Sequence, residues 1–346
     1  MQNPIVYSPR LGAISDAQFE AVSNRLALGR FLHATPVTSG LFGQNVFVTT
    51  TTGEFVLRGA PHWVKGIADT QYRQEDRWQF TKERFFAEQL HERTRAPVPW
   101  PMLHDMTSDL LGWPYLVMPR MPGHCFDEHS IMKALAPADR RAVAVALGAM
   151  LAELQQLTWQ FAGDFNPATI ALEAYPLGNT QWVIDETNMF TKQAVAHRSI
   201  NAADRAFIDA AVERARSTTA ARPTTFVHSD FKLNNLTVAQ DQDGWRVSGI
   251  FDLHEARFGD GALDIVRQFC AYLDTEPQMA EAFVESYRRN VPVDASVREL
   301  LPLFVVNDRM KIWEYFTRPE VRGAWTEGTT FSEWVSRYAD AAMALL

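Results

Sequence analysis

The sequence predicts an α+β chain with a small antiparallel-sheet lobe at the N-terminus and a larger, mostly helical lobe at the C-terminus. Short apolar runs separated by turn residues fill much of the first third, and apolar stripes of helical period fill the remainder. A stiff connector, Pro119-Arg120-Met121-Pro122-Gly123, stands between them. The length of 346 residues also favours two lobes over one simple core. We place the lobes at residues 1–117 and 123–346, with a hinge at 118–122.

The N-terminal elements follow from local patterns. Ser15 and Asp16 stand before an amphipathic stretch that ends at Leu26, which predicts a capped helix. The predicted strands are Asn45–Thr50, Glu54–Arg58 and Tyr115–Met118. A helix is predicted at Thr81–Glu92, and the prolines that follow it end it. Residues 61–78 show no period and are predicted to be an irregular insertion or loop.

The C-terminal lobe is predicted to be helical because its apolar residues recur every three or four positions. The predicted helices are Asp139–Leu157, Trp182–Val195, Ala203–Arg216, Ala262–Leu273, Met279–Arg289 and much of Leu300–Leu346.

Composition and charge exclude several classes of protein. The net charge of −8 argues against a nucleic-acid partner, which would favour a basic surface. The sequence contains no run of eighteen apolar residues, so no transmembrane helix is predicted. The first ten residues lack the pattern of a signal peptide. Two cysteines make neither a disulfide framework nor a zinc site. We therefore expect a cytoplasmic protein without a membrane partner. Its oligomeric state is left open.

The strongest functional signal is the segment His228-Ser229-Asp230-Phe231-Lys232-Leu233-Asn234-Asn235, with Ile250-Phe251-Asp252 downstream. Between them, two apolar runs flank a turn and predict an antiparallel hairpin. The hairpin places Asn235 beside Asp252, and oxygen ligands at one point suit Mg²⁺. Phosphoryl transfer needs an oriented nucleophile and a metal that neutralises phosphate charge. We predict Asp230 as the catalytic residue and Asn235 and Asp252 as metal ligands. The alternative is that these residues only shape turns.

This segment resembles the catalytic segment of the aminoglycoside phosphotransferases and of related choline and homoserine kinases, which have a protein-kinase-like fold. The resemblance lies in their His-Gly-Asp-x-x-x-x-Asn pattern and the Asp that follows the next strand. It implies that Asp230 is the catalytic base and that Asn235 and Asp252 bind metal. Ser229 replaces the usual Gly. Asp260 is expected to cap the next helix and to anchor its loop.

The same resemblance implies a nucleotide site in the N-terminal lobe. Ser39, Gly40 and Gly43 lie between two predicted strands, where backbone N–H groups can approach phosphate oxygens. The segment alone fits a hairpin turn equally well. Arg58 takes the place of the phosphate-binding Lys of kinase-like folds, and Glu83 takes the place of its helix partner. Arg also binds phosphate, although its planar fork gives a different geometry from Lys.

The hinge is expected to bind adenine through the Pro119 carbonyl and the Met121 N–H. Proline keeps its carbonyl and Met121 keeps its N–H donor, so both contacts are permitted. A rigid linker between lobes would use the same residues.

The expected activity is transfer of the γ-phosphate of ATP or GTP, with Mg²⁺, to a hydroxyl of a small molecule. An aminoglycoside or another antibiotic is the leading acceptor. A metabolic kinase for a sugar, an amino alcohol such as choline, or homoserine is the alternative. A nucleotide-binding pseudokinase scaffold is a third possibility, against which the presence of Asp230, Asn235 and Asp252 speaks.

Overall fold

A computed structural model describes residues 5–8, 11–37, 45–59, 79–166, 168–218, 221–319, 321 and 323–345. The chain divides into two units. The first comprises Met1–Gly123, Phe165–Ala171 and Ser248–His254. The second comprises His124–Asp164, Leu172–Val247 and Glu255–Leu346.

The first unit is built around a five-stranded sheet with the strand order β3-β4-β5-β7-β6, in which every neighbouring pair is antiparallel. Val46, Val48 and Thr50 are buried while the residues between them are not, which is the period of a strand with one face on a core. The strands are β1 (Ile5–Ser8), β2 (Gly12–Ile14), β3 (Phe31–Pro36), β4 (Asn45–Thr50), β5 (Gly53–Gly59), β6 (Leu103–Asp105) and β7 (Tyr115–Pro119). The helices are α1 (Asp16–Arg25) and α2 (Gln79–Arg93).

Helix α1 begins where its sequence predicts. The Ser15 side chain accepts from the Gln18 N–H, and the Gln18 side chain accepts from the Ser15 N–H, so two otherwise unpaired donors are satisfied. Phe19 and Val22 of this helix pack into the same apolar cluster as Val46 and Tyr115. The cap therefore fixes the start of a helix whose apolar face covers the sheet.

The rest of the chain is mainly helical, with short strands between the helices. The helices are α3 (Glu128–Ala134), α4 (Pro137–Leu154), α5 (Gly178–Ala196), α6 (Ala202–Ser217), α7 (Leu263–Thr275), α8 (Pro277–Arg288), α9 (Ala295–Thr317) and α10 (Phe331–Leu345). The strands are β8 (Gly163–Asn166), β9 (Ala171–Ala174), β10 (Thr225–Val227), β11 (Leu236–Asp241), β12 (Gly244–Ile250) and β13 (Arg257–Gly259). Strands β10, β13, β8 and β9 form one sheet in that order, and β11 pairs with β12.

Two packing features organise the helices of the second unit. Helix α4 approaches α8 so closely that a Cβ added at Gly148 would lie 2.2 Å from the carbonyl oxygen of Phe283, so this position requires glycine. Helix α9 packs against α5, α6, α7 and α10 and is buried on most of its circumference. A helix surrounded in this way belongs to the centre of a helical core.

The structure confirms the predicted α+β class and the predicted elements it describes. Residues 60–78, which include the whole predicted insertion at 61–78, lie outside the described residues. Among the helices that are described, none is both long enough and apolar enough to cross a membrane.

Candidate phosphoryl-transfer site

The predicted catalytic loop follows β10 and is held by one helix. The carboxylate of Asp264, at the start of α7, accepts the backbone N–H groups of His228 and Ser229 at 2.6 and 2.8 Å. One turn later the Gln268 side chain accepts the Leu233 N–H at 2.6 Å. All three acceptor contacts are buried or nearly so, which makes them costly to break. The backbone of the loop is therefore fixed from α7.

Ser229 has a backbone conformation that favours glycine. Its φ is +72°, in the left-handed region that glycine adopts without steric cost. The Ser229 hydroxyl donates to the Glu255 carbonyl at 2.9 Å and accepts from Arg257 Nη1 at 2.6 Å. These two hydrogen bonds offset the backbone strain of a non-glycine residue.

Asp230 presents a partly exposed carboxylate among polar groups. Its Oδ2 lies 2.7 Å from Lys232 Nζ and accepts from Asn235 Nδ2 at 2.9 Å. Its Oδ1 lies 3.5 Å from Arg267 Nε. An ionised carboxylate accepts hydrogen bonds and donates none, so in this arrangement it can orient a hydroxyl and take up its proton.

Asn235 is oriented by the same contacts. Its Nδ2 donates to both the backbone oxygen and Oδ2 of Asp230, each at 2.9 Å. Since the amide nitrogen faces Asp230, the amide oxygen is the atom of Asn235 that can bind a cation. Such an oxygen is a suitable Mg²⁺ ligand.

The first unit brings together three of the residues predicted from the sequence. Arg58, at the end of β5, bridges two carboxylates: Nη1 lies 3.0 Å from Glu83 Oε2 on α2, and Nη2 lies 2.9 Å from Asp252 Oδ1. Glu83 is fully buried and Arg58 nearly so. His254 Nδ1 also lies 2.6 Å from Asp252 Oδ1. Glu83, Asp252 and His254 each offer a ligand atom, and these atoms lie within 4.8 Å of one another.

The charges around Asp252 keep it ionised. Burial raises its pKa, but the Arg58 guanidinium and the hydrogen bond with His254 outweigh burial and hold the pKa well below its ordinary value. Its carboxylate is therefore a hard oxygen donor, which fits Mg²⁺.

The hinge residues are placed by the β5–β7 pairing. Phe55 lies opposite Pro119, and the Arg120 N–H donates to the Glu54 carbonyl at 2.9 Å. Glu54 and Arg120 thus form a hydrogen-bonded pair, so Phe55 and Pro119 form a non-hydrogen-bonded pair whose polar groups point away from each other. The Pro119 carbonyl is consequently directed away from β5, and contact of Pro119 and Met121 with adenine stays a prediction.

Four other residues predicted from the sequence are either outside the described residues or have a different role. Ser39, Gly40 and Gly43 lie outside the described residues. The prediction that Asp260 is a helix N-cap is wrong, because α7 begins at Leu263 and its N-cap is Ala262. Asp260 instead anchors the preceding loop by accepting from the Ala262 N–H at 3.1 Å and by pairing with Arg222 at 2.8 Å.

Sequence patterns did not single out Lys232, Arg267 and His254. Lys232 and His254 each lie two residues from a predicted site residue, and Arg267 lies three residues after Asp264 on a predicted helix. The spacing of Arg267 from Asp264 indicates one helix face, and it is the signal that could have found this residue.

A family model described as the phosphotransferase enzyme family matches residues 33–300. The chain belongs to this family. This family membership confirms the resemblance to phosphotransferases that residues 228–235 and Asp252 indicate in the sequence. Asp230, Asn235 and Asp252 all lie inside the matched region.

Solved structures of phosphotransferases have the same fold. Aminoglycoside 2'-phosphotransferase-IIIa with GDP superposes with a TM-score of 0.59 at 12% identity, covering 95% of this chain and 97% of that one. Macrolide 2'-phosphotransferase MphH from Brachybacterium faecium gives 0.57 at 16% identity, with 94% and 98% covered. A thermostable mutant of aminoglycoside phosphotransferase APH(4)-Ia, in a ternary complex with ADP and hygromycin B, gives 0.58 at 14% identity, with 92% and 97% covered. The chain thus has an aminoglycoside phosphotransferase-like fold.

Curated relatives carry a different name. The chain is 28% identical over 171 residues to acyl-CoA dehydrogenase family member 11 of Rattus norvegicus, across 49% of this chain and 20% of the relative. It is 25% identical over 228 residues to the protein of that name from Homo sapiens, across 64% and 27%. The matched stretch is therefore about a quarter of the relatives or less.

Proposed function

We propose that this protein transfers the γ-phosphoryl group of ATP or GTP to a hydroxyl of a small molecule. The observation that carries the proposal is the Asp230 carboxylate, held by Asn235 through a side chain whose oxygen remains suited to a cation. Asp252, which is ionised, would supply a second oxygen donor. Membership in the phosphotransferase enzyme family supports the same reaction.

In the proposed reaction the acceptor oxygen attacks the γ-phosphorus, and the bond from that phosphorus to the bridging oxygen of the leaving diphosphate breaks. Asp230 orients the hydroxyl and receives its proton. Asn235 and Asp252 would hold Mg²⁺, which when bound neutralises charge on the nucleotide phosphates.

We propose that the first unit binds the nucleotide. Arg58 has five N–H donors and uses two of its nitrogens on Glu83 and Asp252, so it retains donors for a phosphate oxygen. Ser39, Gly40 and Gly43 would add backbone N–H groups to the phosphates. Pro119 and Met121 would receive the adenine.

For the acceptor we propose classes of compound and no single molecule. An aminoglycoside or another antibiotic is supported by the printed names of the solved relatives, which include complexes with kanamycin and hygromycin B. The alternative is a metabolic hydroxyl compound such as a sugar, an amino alcohol or homoserine. We propose no nucleic-acid or membrane partner. A reducing compartment such as the cytoplasm suits the two free cysteines.

A transfer screen tests this function. Purified protein with Mg²⁺ and either ATP or GTP is offered each acceptor class, and phosphorylated product is detected by mass spectrometry. Asp230→Ala should lower turnover by about a thousandfold, because general acid–base catalysis contributes that order of rate. Asp243→Ala, which alters an exposed carboxylate in the hairpin turn, is the matched control and should keep the parent rate.

Two results would contradict the proposal. Undiminished turnover in Asp230→Ala would remove the assigned mechanism. Nucleotide binding by the parent protein, with neither phosphoryl transfer nor nucleotide hydrolysis at any acceptor, would favour the pseudokinase scaffold.

A further inference from the structure

Helix α7 directs three polar side chains at the catalytic loop. Asp264, Arg267 and Gln268 have the spacing i, i+3 and i+4, which places them on one helix face. Asp264 and Gln268 accept backbone N–H groups of the loop, as described above. Arg267 is the member of this set that reaches a side chain, the carboxylate of Asp230. Backbone and side chain of the loop are thus held by separate residues.

Arg267 lies between two carboxylates. Its Nε is 2.7 Å from Asp308 Oδ1 on α9 and 3.5 Å from Asp230 Oδ1. The other oxygen of Asp230 is occupied by Lys232 and Asn235. Each oxygen of Asp230 therefore faces a cation, and the cation beside Oδ1 is Arg267, at ion-pair distance and without a hydrogen bond.

Asp308 is itself firmly held. Arg309 Nε donates to its Oδ2 at 2.9 Å, and the Arg309 guanidinium lies over the ring of Tyr338 at 5.2 Å and that of Trp334 at 5.6 Å. Burial raises the pKa of Asp308, but Arg267 and Arg309 outweigh burial and lower it, so Asp308 is an anion.

The unequal distances give Arg267 a specific effect. Because Asp308 takes the short contact, the guanidinium attracts Asp230 without forming a close ion pair with its Oδ1. Lys232 already forms a close ion pair with Oδ2 of Asp230, so Arg267 affects the position of this carboxylate: its charge, anchored by Asp308, attracts Oδ1 from the side of α7.

We propose that Arg267 is a positioning residue for Asp230 and that Asp308 sets the distance between them. This inference rests on the proposed function, in which Asp230 orients the attacking hydroxyl. It adds two residues to those already assigned to the reaction.

The test uses the full-length protein with Mg-ATP and Mg-GTP, with water as the acceptor, and follows phosphate release. Arg267→Met should lower kcat by about 10- to 100-fold while KM for the nucleotide stays within about twofold, because misplacement of a reacting group costs rate rather than binding. Arg267→Lys keeps the charge and should recover part of kcat. Asp308→Asn should also lower kcat at unchanged KM, because Arg267 is then free to close on Asp230.

Hydrogen exchange of residues 228–233 distinguishes positioning from loop opening. Arg267→Met should leave their protection unchanged, since Asp264 and Gln268 still hold the backbone. Asp264→Asn, the matched control, should lower that protection.

The outcomes separate the two proposals. If Asp230→Ala abolishes phosphate release but Arg267→Met leaves kcat at the parent value, Arg267 has no positioning role and the proposed function stands. If Arg267→Met exposes residues 228–233 to exchange and Arg267→Lys restores nothing, Arg267 is structural and the inference is overturned. If Asp230→Ala itself leaves the rate unchanged, both proposals fail.

Discussion

Ser229 allows a sharp test of how the catalytic loop is stabilised. Ser229→Ala removes a hydroxyl that makes one neutral hydrogen bond and one with the charged Arg257. Net contributions of about 1 kcal/mol for the first and about 2 kcal/mol for the second give a loss of about 3 kcal/mol. Ser229→Gly loses the same contacts, but glycine adopts a φ of +72° without the cost of about 1 kcal/mol that a Cβ incurs. The glycine variant should therefore be about 2 kcal/mol less stable than the parent and about 1 kcal/mol more stable than the alanine variant.

Urea unfolding followed by circular dichroism measures both differences. Ser336, inside helix α10, is the control position, because there alanine should be more stable than glycine by about 1 kcal/mol. The order of the two variants should thus reverse between the positions. An alanine variant at 229 that is as stable as the glycine variant would refute the backbone argument. Parent-like stability of both would show that the hydroxyl contributes nothing.

Three further predictions concern the first unit. Arg58→Met should lower the free energy of unfolding by about 3–5 kcal/mol, because it removes the cation beside the buried Glu83 carboxylate. In urea unfolding, adding Glu83→Gln to this variant should recover part of the lost stability. If the losses of the two variants simply add, the pairing of Arg58 with Glu83 is contradicted. Asp252→Asn should weaken nucleotide binding with Mg²⁺ but not without it, and calorimetry that finds equal weakening in both would exclude a metal role. Burial raises the pKa of Asp105, but hydrogen bonds hold it at about 2. The stability that ionised Asp105 contributes is therefore present above the ordinary Asp pKa of about 3.9 and is lost as pH falls towards 2. Asp105→Asn should reduce the fall in the free energy of unfolding between pH 5 and pH 2 by about 2 kcal/mol. A variant that loses as much stability as the parent over this pH range would contradict the prediction.

The sequence predicted those parts of the fold that depend on local patterns. The Ser15 cap, the Thr-Thr-Gly turn after β4 and the hairpin of β11 and β12 were all recognisable because capping and turn residues flank apolar runs of clear period. Pairing of Arg58 with Glu83 and Asp252 was partly anticipated through the family resemblance. In each case a residue type at a fixed spacing specifies the local geometry.

Other features depend on tertiary packing and could not be read locally. Helix α9 begins at Ala295 and continues through Pro302, although proline disfavours helix interiors. Its burial against several helices overrides that preference, which no window of sequence reveals. Asp308 likewise acts through Arg267, which is distant along the chain, and single polar residues carry no periodic signal.

The face of α7 that holds the catalytic loop has a consequence for altering this protein. The loop, its backbone acceptors and Arg267 all lie within residues 228–268, so the geometry around Asp230 is encoded in a short, nearly self-contained stretch. Asp308 is the contact described above by which α9 enters that arrangement. Libraries aimed at new acceptors should therefore vary exposed positions of α5 and α6 and keep the buried residues of α9, which pack against four helices. They should leave residues 228–268 and Asp308 untouched.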